Sequence, residues 1–600
     1  MSVQKTVAGC LEKSVFYRKR RQIEPSCKHY KKRSPIVYNV DRFTIPEVIE
    51  KSAAHYGDLT ALAPSDLRNT EESLSYRQLE ERSRGIAALL VLLGVKQGDR
   101  VALLSENRPG WGLCYFAISR AGAVAVPIMT AFTDEQIASI LDHSGSVVMI
   151  ASKKLASKAP AGSSVRLLIV DDLERGIYAD VSPEAHAKAL ADFTTPAVAG
   201  DDLASILYTS GTMGNSKGVM LTHRNLVSNA IAARKFIVLR RTDRLLSVLP
   251  LAHAYEFTIG FLIPMMQGSA VYYLDKPPSA TALLPALAAI RPTIMLAVPL
   301  IIEKVVRSSV KPALEKMSLY KYKVFRPALD WLAGRKLKKV FGGHLRFFGI
   351  GGAPLAADVE SFLHNARFPY SIGYGLTETA PLIAGNVAGK VCLHTTGVPP
   401  HGVELRIADK RPDTGEGEIQ ARGPNVFPGY YKDAERTAES FTEDGWFRTG
   451  DLGTIDRDGR VTVRGRLKTM ILGPSGENIY PEEIEALLNA SPYVLESLVY
   501  GGEKGVTALV HLKPEALEQI TSRIKDGIEQ AEITAGHLAQ EAAVGLHSAE
   551  HHIAHLLESI RKETNTRLAG FSRLSHIEHQ KEPFEKTPKQ SIKRFLYPKK

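Results

Sequence analysis

The sequence is poor in cysteine: its 600 residues contain four, at positions 10, 27, 114 and 392, and no two lie close together. This spacing excludes a disulfide scaffold, a CxxC redox motif and a cysteine zinc site. The sequence also lacks an uncharged apolar run of ~18 residues, because the stretch 257–266 is bounded by Glu256 and Gln267 and contains Pro264. No apolar signal core occurs at the N-terminus. We therefore expect a cytoplasmic protein with reduced thiols that does not span a membrane.

Positive charge is concentrated at the two ends of the chain. The net charge is +12, of which residues 1–33 carry +8 and residues 581–600 carry +5, so the remainder carries −1. Because the body has no excess of positive charge to attract phosphates, we expect no nucleic-acid partner. Residues 1–40 form a basic extension, which is either a solvated tail or a peripheral contact with the inner face of an anionic membrane.

Apolar patterning predicts an α/β fold. Helical periodicity runs through 76–93, and short apolar runs follow at 101–104, 147–151 and 167–170. Such alternation indicates parallel or mixed sheets covered by helices. After about residue 465 the pattern becomes a shorter α+β one, in which 515–566 is typical of two or three helices. We therefore predict a large domain over 41–467 and a smaller α+β domain over 468–600, with a helical insertion at about 515–566.

The segment 208–218, YTSGTMGNSKG, combines three glycines, several hydroxyls and Lys217. It follows a predicted strand at 203–208 and precedes a predicted helix from about Asn225. Glycines let several backbone N–H groups face one anion, and the hydroxyls and the ammonium add donors and charge. It is not a Walker A loop, because Ser216 rather than a glycine precedes the lysine. We predict a phosphate-binding loop whose ligands, besides Lys217, are Thr209, Ser210, Gly211, Thr212 and Gly214.

Further motifs follow this loop in a fixed order: PLAHAYE at 250–256, GGAP at 351–354, YGLTET at 374–379, WFRTGD at 446–451 and GRLK at 465–468. Together with the loop they resemble the adenylate-forming superfamily of acyl-CoA synthetases, peptide-synthetase adenylation domains and beetle luciferases. The resemblance covers roughly residues 45–600. It implies that 41–467 is an adenylating domain and that 468–600 is a mobile lid.

The resemblance implies a binding role for each motif. An aromatic ring at Tyr374 stacks on adenine, and the 351–353 backbone approaches the purine edge. Thr377 offers a hydroxyl to the α-phosphate, and Asp451 and Arg466 match the ribose-binding pair. Thr209 and Glu378 supply oxygen ligands suited to Mg²⁺. The nucleotide-binding residues expected outside the phosphate loop are Gly351, Gly352, Ala353, Tyr374, Gly375, Thr377, Asp451 and Arg466.

Three positions carry alternatives. His253 matches a residue that lines the active site near the carboxylate and the phosphates, although a histidine beside apolar residues is also a common core residue. Lys468 matches the hinge about which the lid swings, or is a surface linker lysine. The family's lid lysine is replaced here by Ser591, and we hypothesise that Lys593 or Lys589 substitutes for it, since residues two apart in an extended chain point the same way.

The chemistry implied by the resemblance uses ATP and Mg²⁺ to convert a carboxylate into acyl-AMP and pyrophosphate, after which a thiol displaces AMP. The PLAHAYE segment and the ending PFEKTP…IKRF are most similar to bacterial long-chain fatty acid–CoA ligases, so we expect a fatty acid substrate and CoA as acceptor. An acyl carrier protein is the alternative acceptor. A catalytically weakened acyl- or nucleotide-binding protein is a third interpretation, motivated by Ser591. Histidines 547, 551 and 555 share one helix face, which is either solvated or a metal site.

Overall fold

A computed structural model describes residues 43–160, 162, 164–178, 181–209, 217–274, 276, 278–472, 477–502, 505–518, 541–587 and 592–597, with the backbone alone at 541–549. The basic extension at 1–40 lies outside the described residues. So do Lys589, Ser591 and the part of the predicted phosphate loop from Ser210 to Ser216, which contains the predicted ligands Gly211, Thr212 and Gly214.

The chain alternates strands and helices, as the sequence predicts. The strands are β1 Thr60–Pro64, β2 Leu74–Ser75, β3 Arg100–Leu104, β4 Val124–Pro127, β5 Ser146–Ala151, β6 Arg166–Ile169, β7 Leu203–Thr209, β8 Lys217–Thr222, β9 Arg244–Ser247, β10 Ala270–Tyr273, β11 Ile294–Ala297, β12 Phe347–Ile350, β13 Tyr370–Gly375, β14 Leu382–Gly385, β15 Glu404–Ala408, β16 Gly417–Arg422, β17 Phe447–Ile455, β18 Val461–Arg466, β19 Ile471–Leu472, β20 Asn478–Ile479, β21 Val494–Gly502, β22 Gly505–Leu512 and β23 His576–His579.

The helices that cover these strands are mostly short. The α-helices are α1 Ile45–Tyr56, α2 Tyr76–Leu92, α3 Pro109–Arg120, α4 Asp134–Ser144, α5 Val170–Glu174, α6 Pro183–Asp192, α7 His223–Ala233, α8 Ile263–Gln267, α9 Ala280–Ile290, α10 Pro299–Val305, α11 Lys311–Glu315, α12 Arg326–Val340, α13 Ala357–Asn365, α14 Ala434–Glu439, α15 Pro481–Leu488 and α16 Glu541–Asn565. Two π-helical stretches, Glu256–Leu262 and Val306–Val310, precede α8 and α11.

Two large mixed sheets form the body of the protein. One has the strand order β14-β13-β12-β11-β9-β10-β1-β2 and the other β6-β5-β3-β4-β7-β8. The eight-stranded sheet has an antiparallel pair at each edge, β13 with β14 and β1 with β2, and the six-stranded sheet has one at a single edge, β7 with β8; the other pairs are parallel. Their strands are apolar because helices cover them; one large core is shared by both sheets, and a second, smaller one contains side chains of the six-stranded sheet. The predicted α/β class is confirmed.

Smaller sheets follow along the chain. Strands β15-β16-β17-β18 form an antiparallel sheet, and β21-β22-β23 form another beyond the β19-β20 ribbon. The latter packs with α15 and the C-terminal half of α16 around its own apolar core, which includes Ile484, Val510 and Ile560. In the region predicted to be a helical insertion, α16 occupies 541–565, and 519–540 lie outside the described residues.

Local sequence signals explain several element boundaries. Ser75, Thr133 and Thr222 each begin a helix, because the side chain of each accepts a hydrogen bond from the backbone N–H three residues later. The side-chain oxygen of that later residue in turn accepts a hydrogen bond from the backbone N–H of the cap. The helix predicted at 76–93 therefore begins at Tyr76, and it ends at Leu92. The predicted run 167–170 is a strand only to Ile169, because Val170 begins α5.

Candidate active site

The predicted phosphate loop joins two antiparallel strands. Thr209 is the last residue of β7 and Lys217 the first of β8, and the two are paired directly across the ladder. The sequence predicted a helix after the loop, from about Asn225. That helix is α7, which begins at His223 after β8 intervenes. The strand pairing fixes the position of Lys217 relative to Thr209.

Lys217 meets Glu378 and a tyrosine from a third part of the chain. Its Nζ lies 2.8 Å from Glu378 Oε1 and 2.9 Å from the hydroxyl oxygen of Tyr430. The Tyr430 hydroxyl donates to the same Glu378 oxygen at 2.9 Å, and the Lys217 ammonium also lies 4.5 Å from the centre of the Tyr430 ring. Lys217 from the end of the glycine-rich segment and Glu378 from the YGLTET motif therefore meet in one cluster of charged and polar groups.

The electrostatics of this cluster keep Glu378 ionised. Burial by itself would raise the pKa of the Glu378 carboxyl, but the neighbouring ammonium of Lys217 and the hydroxyl of Tyr430 together outweigh burial, so the pKa is lowered. The Glu378 side chain is 8% exposed and the Lys217 side chain 25%. A buried carboxylate that stays charged beside a partly open cation suits a site that handles phosphates and a divalent metal.

Helix α7, which follows the β7–β8 pair, is hydrogen-bonded to the segment that contains Glu378. The Asn229 side-chain amide donates to the Leu382 carbonyl at 2.7 Å and accepts from the Leu382 N–H at 3.1 Å. From a third segment, Asn425 donates to the Thr379 carbonyl at 2.8 Å. These amides are buried, so each bond is protected from water and fixes the turn Thr377–Thr379 against the helix.

A second polar cluster surrounds Asp451. Its carboxylate accepts a 2.7 Å hydrogen bond from the Tyr374 hydroxyl and lies 2.7 Å from Arg466 Nε, its partner in the β17–β18 pair. Burial raises the pKa of Asp451, while Arg466 and Tyr374 oppose that shift, and the charge of Glu378 raises it further. Tyr374 links this cluster to Glu378, because both residues belong to the same YGLTET motif. A carboxylate with a donor on each side can accept from vicinal hydroxyls.

Backbone constraints shape the segment between these clusters. A Cβ at Gly375 would lie 1.8 Å from the Pro381 carbonyl oxygen, so only glycine allows the chain to fold back on itself there. The 351–353 segment follows β12, with Gly352 and Ala353 exposed and Gly351 packed on the Tyr255 ring. The exposure of Gly352 and Ala353 is compatible with the predicted approach of this backbone to a purine edge, which stays a prediction.

A cleft of about 400 Å³ opens beside Lys217. Cationic side chains line part of it, contributed by Lys217, Lys432 and Arg436, together with the acidic Glu135 and Asp433. His143 and Tyr208 also line it, joined by a 2.7 Å hydrogen bond between His143 Nδ1 and the tyrosine hydroxyl. Lys217 and Tyr430 of the charged cluster are thus accessible from this cleft.

The residues predicted to hold Mg²⁺ fit that role in their chemistry. Among the residues that the structure describes, the buried Thr209 Oγ1 has no hydrogen-bond partner. Glu378 uses only Oε1 in its bonds to Lys217 and Tyr430, and its other oxygen takes no part in them. A free hydroxyl and a carboxylate oxygen are ligands that Mg²⁺ prefers.

The remaining predicted residues lie around or beyond these clusters. His253 is partly buried next to the π-helical stretch Glu256–Leu262, where its Nδ1 accepts from the Tyr255 N–H at 3.2 Å. Lys468 is exposed in the turn that follows β18. The Lys593 ammonium lies 3.2 Å from Glu585, so the structure pairs it within its own segment. In the part of the chain that is described, no cluster of three or more metal-binding side chains occurs, and His551 and His555 are exposed.

Tyr430 is the functional residue that sequence reasoning missed. It follows Pro428 and Gly429 directly, and an isolated bridge pairs it with Val219 of β8. The only signal in the sequence was a pair of tyrosines after a proline and a glycine, which occurs often without a role in binding. Its partnership with Lys217 depends on tertiary packing that no local pattern encodes.

Comparisons with known proteins agree with this geometry. A family model described as AMP-binding enzyme matches residues 49–431. The chain is 33% identical over 558 residues to the long-chain-fatty-acid–CoA ligase FadD15 of Mycobacterium bovis, covering 85% of this chain and 88% of that one. It is 29% identical to the long-chain-fatty-acid–[acyl-carrier-protein] ligase AEE15 of Arabidopsis thaliana, covering 77% and 75%.

A solved structure agrees in fold over nearly the whole length. The ATP-bound RpMatB-BxBclM chimera B1 superposes with a TM-score of 0.69 at 26% identity, covering 92% of this chain and 98% of that one. Within the described residues no helix is both long and apolar enough to cross a bilayer. The motifs, their convergence on one site and the match over most of the chain show that this protein belongs to the AMP-binding enzyme family.

Proposed function

We propose that this protein is an AMP-forming ligase that activates a long-chain fatty acid with ATP and transfers the acyl group to CoA. The observation that carries the proposal is the contact of Lys217 with Glu378 beside the Asp451 cluster. The Lys217–Glu378 cluster has the charges that bind a triphosphate and its metal ion. The Asp451 carboxylate can accept hydrogen bonds from the ribose hydroxyls. A single nucleotide bound across both would have its α-phosphate between them.

In the first half-reaction an oxygen of the fatty carboxylate bonds to the α-phosphorus, and the bond from that phosphorus to the bridging oxygen breaks to release pyrophosphate. Lys217 stabilises the negative charge that builds on the phosphate oxygens. The Thr377 hydroxyl donates to the α-phosphate, and Asp451 with Arg466 fixes the ribose. These residues act by positioning and by preorganised charge, which are the main terms in phosphoryl-type transfer.

Thr209 and Glu378 are the residues that would hold Mg²⁺, which supplies charge neutralisation for phosphate oxygens when it is bound. No general base is required, because the attacking carboxylate is already ionised at pH 7. His253 therefore serves as an active-site wall rather than a proton acceptor. We expect His253→Ala to alter the KM for the acid more than it alters the dependence of kcat on pH.

In the second half-reaction the sulfur of CoA attacks the acyl carbonyl, and AMP leaves with the bonding electrons. We propose that residues 468–600 reorient about Lys468 between the two steps. The position of Lys468 in an exposed turn after β18 supports this role. Lys468→Pro fixes φ there, so it should leave pyrophosphate release within a few-fold of wild type while slowing thioester formation from supplied acyl-AMP. Equal effects on both steps would contradict a hinge role.

Long-chain specificity is supported by the PLAHAYE segment and by the similarity to FadD15 over most of both chains. The test is pyrophosphate release across a panel of carboxylic acids that includes medium- and long-chain fatty acids, aromatic acids and malonate. We expect the highest kcat/KM for long chains. A clear preference for an aromatic acid or a short diacid would overturn the substrate assignment while keeping the adenylation chemistry.

An acyl carrier protein is the second candidate acceptor, favoured by the similarity to AEE15. Supplying CoA and a holo carrier protein separately to enzyme preloaded with acyl-AMP decides between them, because only the true acceptor should speed AMP release. A catalytically weakened binding protein predicts no pyrophosphate release with any acid. Detectable release with one of them would eliminate that alternative.

A further inference from the structure

An exposed basic and apolar surface lies on the segment 316–340, which contains none of the residues assigned to catalysis. Of the 22 large apolar side chains that are exposed among the described residues, seven fall in this segment: Met317, Leu319, Tyr322, Val324, Phe325, Trp331 and Leu332. The same 25 residues contain eight lysines and arginines and a single acid, Asp330, for a net charge of +7. We call this segment the basic-apolar face.

Helix α12 shows that the exposure is built into the fold. Leu329, Asp330, Gly334 and Leu337 are buried, and they recur at the spacing of one helical face. A Cβ at Gly334 would lie 2.3 Å from the Ala366 carbonyl oxygen, so the helix rests directly on the chain after α13. The inner face is thus fixed, and the opposite face must point away from the body.

The acid of this segment is used for anchoring and is absent from the outer surface. Asp330 accepts hydrogen bonds from the Tyr320 hydroxyl at 3.0 Å and from the Asn365 amide at 3.2 Å. On the outer face, Trp331 and Leu332 are followed one turn later by Arg335 and Lys336, and all four are exposed. The guanidinium of Arg335 lies 5.1 Å from the centre of the Trp331 ring.

The residues that lead into α12 have the same composition. Residues 321–325, KYKVF, and Arg326 at the start of the helix mix cations with apolar side chains, and every one of them is exposed. Val324 is 77% exposed and Tyr322 63%, which is unusual for apolar residues without a partner surface. Each cation therefore lies beside an apolar side chain, with no separation into an apolar centre and a charged rim.

We propose that the basic-apolar face docks on the surface of an anionic lipid bilayer. Aromatic and aliphatic side chains enter the headgroup boundary there, while lysine and arginine pair with lipid phosphates. The same mixture disfavours three other partners. A different protein is disfavoured because lysine is depleted in protein–protein interfaces, and a second copy because its positive charge would repel this face. A nucleic acid is disfavoured because it would leave Val324 and Leu332 in water. Docking does not depend on the proposed ligase chemistry.

Tryptophan fluorescence gives a direct test, because the chain has three tryptophans and only Trp331 is exposed, with Trp111 and Trp446 buried. Adding phosphatidylcholine vesicles doped with phosphatidylglycerol should shift the emission to shorter wavelength and protect it from iodide. Pure phosphatidylcholine vesicles should do neither. Trp331→Phe should abolish the shift while the protein still sediments with the anionic vesicles. An unchanged emission in wild type, or the same shift in Trp331→Phe, overturns the proposal.

Vesicle co-sedimentation of the full-length chain separates this face from the basic extension at 1–40. Replacing Lys321, Lys336 and Lys339 with glutamine should weaken binding to anionic vesicles roughly a hundredfold, given the usual contribution of each cation near a charged bilayer. Tyr322→Ser with Val324→Ser should weaken binding without changing its salt dependence. Matched controls are glutamine at the exposed Lys96, Lys153 and Lys154, and serine at the exposed Val91 and Leu92.

Each outcome of the sedimentation assay decides the question. Loss of binding in the face variants, with binding kept in both controls, supports the proposal. If the face variants bind as wild type does, lipid contact belongs to another part of the chain and the proposal is overturned. Equal loss of binding in the controls, or no binding of the wild-type protein, also overturns the proposal. The assay needs neither ATP nor a fatty acid, so its result is independent of the proposed function.

Discussion

Lys217 and Glu378 are separated by 161 positions in the sequence, and in the folded chain the ammonium of one lies 2.8 Å from the carboxylate of the other. A buried carboxylate needs such a partner to remain ionised. The pair joins the phosphate-binding loop to the YGLTET motif, and this proximity is the physical basis for assigning both motifs to a single nucleotide.

Removing the ammonium of Lys217 should abolish most of the adenylation activity. We expect Lys217→Gln to lower the rate of pyrophosphate release by roughly 100- to 1,000-fold, the usual effect of deleting one preorganised stabiliser of transition-state charge. Lys217→Arg keeps the charge and should lose less. Lys235→Gln, at an exposed lysine just beyond α7, is the matched control and should retain wild-type rates. A rate within tenfold of wild type in Lys217→Gln would contradict the assigned role.

Neutralising Asp451 should weaken nucleotide binding more than it slows chemistry. Asp451→Asn loses the charge that makes its hydrogen bonds strong, so we expect the KM for ATP to rise roughly 10- to 100-fold with a smaller change in kcat. Asp456→Asn is the control, since Asp456 follows the same strand β17 but is exposed. The KM for the fatty acid should stay constant in both variants. An unchanged KM for ATP in Asp451→Asn would remove the ribose assignment.

The replacement of the lid lysine by Ser591 leads to a third prediction. If Lys593 or Lys589 contacts the reacting oxygens during adenylation, Lys593→Ala or Lys589→Ala should slow acyl-adenylate formation by roughly 100-fold. Thioester formation from supplied acyl-AMP should be unaffected. For Lys593 this requires its ammonium to leave Glu585, its ion-pair partner in the structure. Lys581→Ala, at an exposed lysine nearby, serves as the reference, and normal rates in both test variants would sink the substitution hypothesis.

Glu256 makes stability depend on pH. It is fully buried in the π-helical stretch, and neither carboxyl oxygen forms a hydrogen bond with a described residue. Burial raises its pKa from 4.5 to about 8, although the neighbouring Ser247 hydroxyl opposes the shift. Between those two values the folded state keeps a proton that the unfolded chain has lost, so the free energy of unfolding falls as pH rises from about 4.5 to 8 and then levels off.

Glu256→Gln should remove the part of the pH dependence of the free energy of unfolding that comes from this carboxyl group. We expect the variant to match wild type near pH 5 and to exceed its free energy of unfolding by a few kcal/mol near pH 8.5, measured by denaturant titration across the range. Glu435→Gln, at an exposed glutamate, should show no such divergence. Parallel stability curves for wild type and Glu256→Gln would show that Glu256 does not titrate across this interval.

The sequence predicted those parts of the site that consist of contiguous motifs. The loop before Lys217, the Tyr374 strip and the Asp451 segment each combine residue types whose chemistry is recognisable locally. Tyr430 could not be predicted, because its role arises only where its strand bridge meets β8. The basic-apolar face was missed for a related reason: Trp331 and Leu337 look equally apolar in the sequence, and only packing against Ala366 decides which is exposed.

The two-way hydrogen bonding of Asn229 with Leu382 has a consequence for how the protein opens. Both bonds belong to a single amide, so the Glu378 turn cannot fray alone and must separate from α7 as one cooperative step. The Leu382 amide proton should therefore exchange with deuterated solvent as slowly as the interior amides of α7, although it belongs to an edge strand. The strand that follows the Glu378 turn thus derives its persistence from a helix that follows a strand of the other large sheet, through the side chain of Asn229.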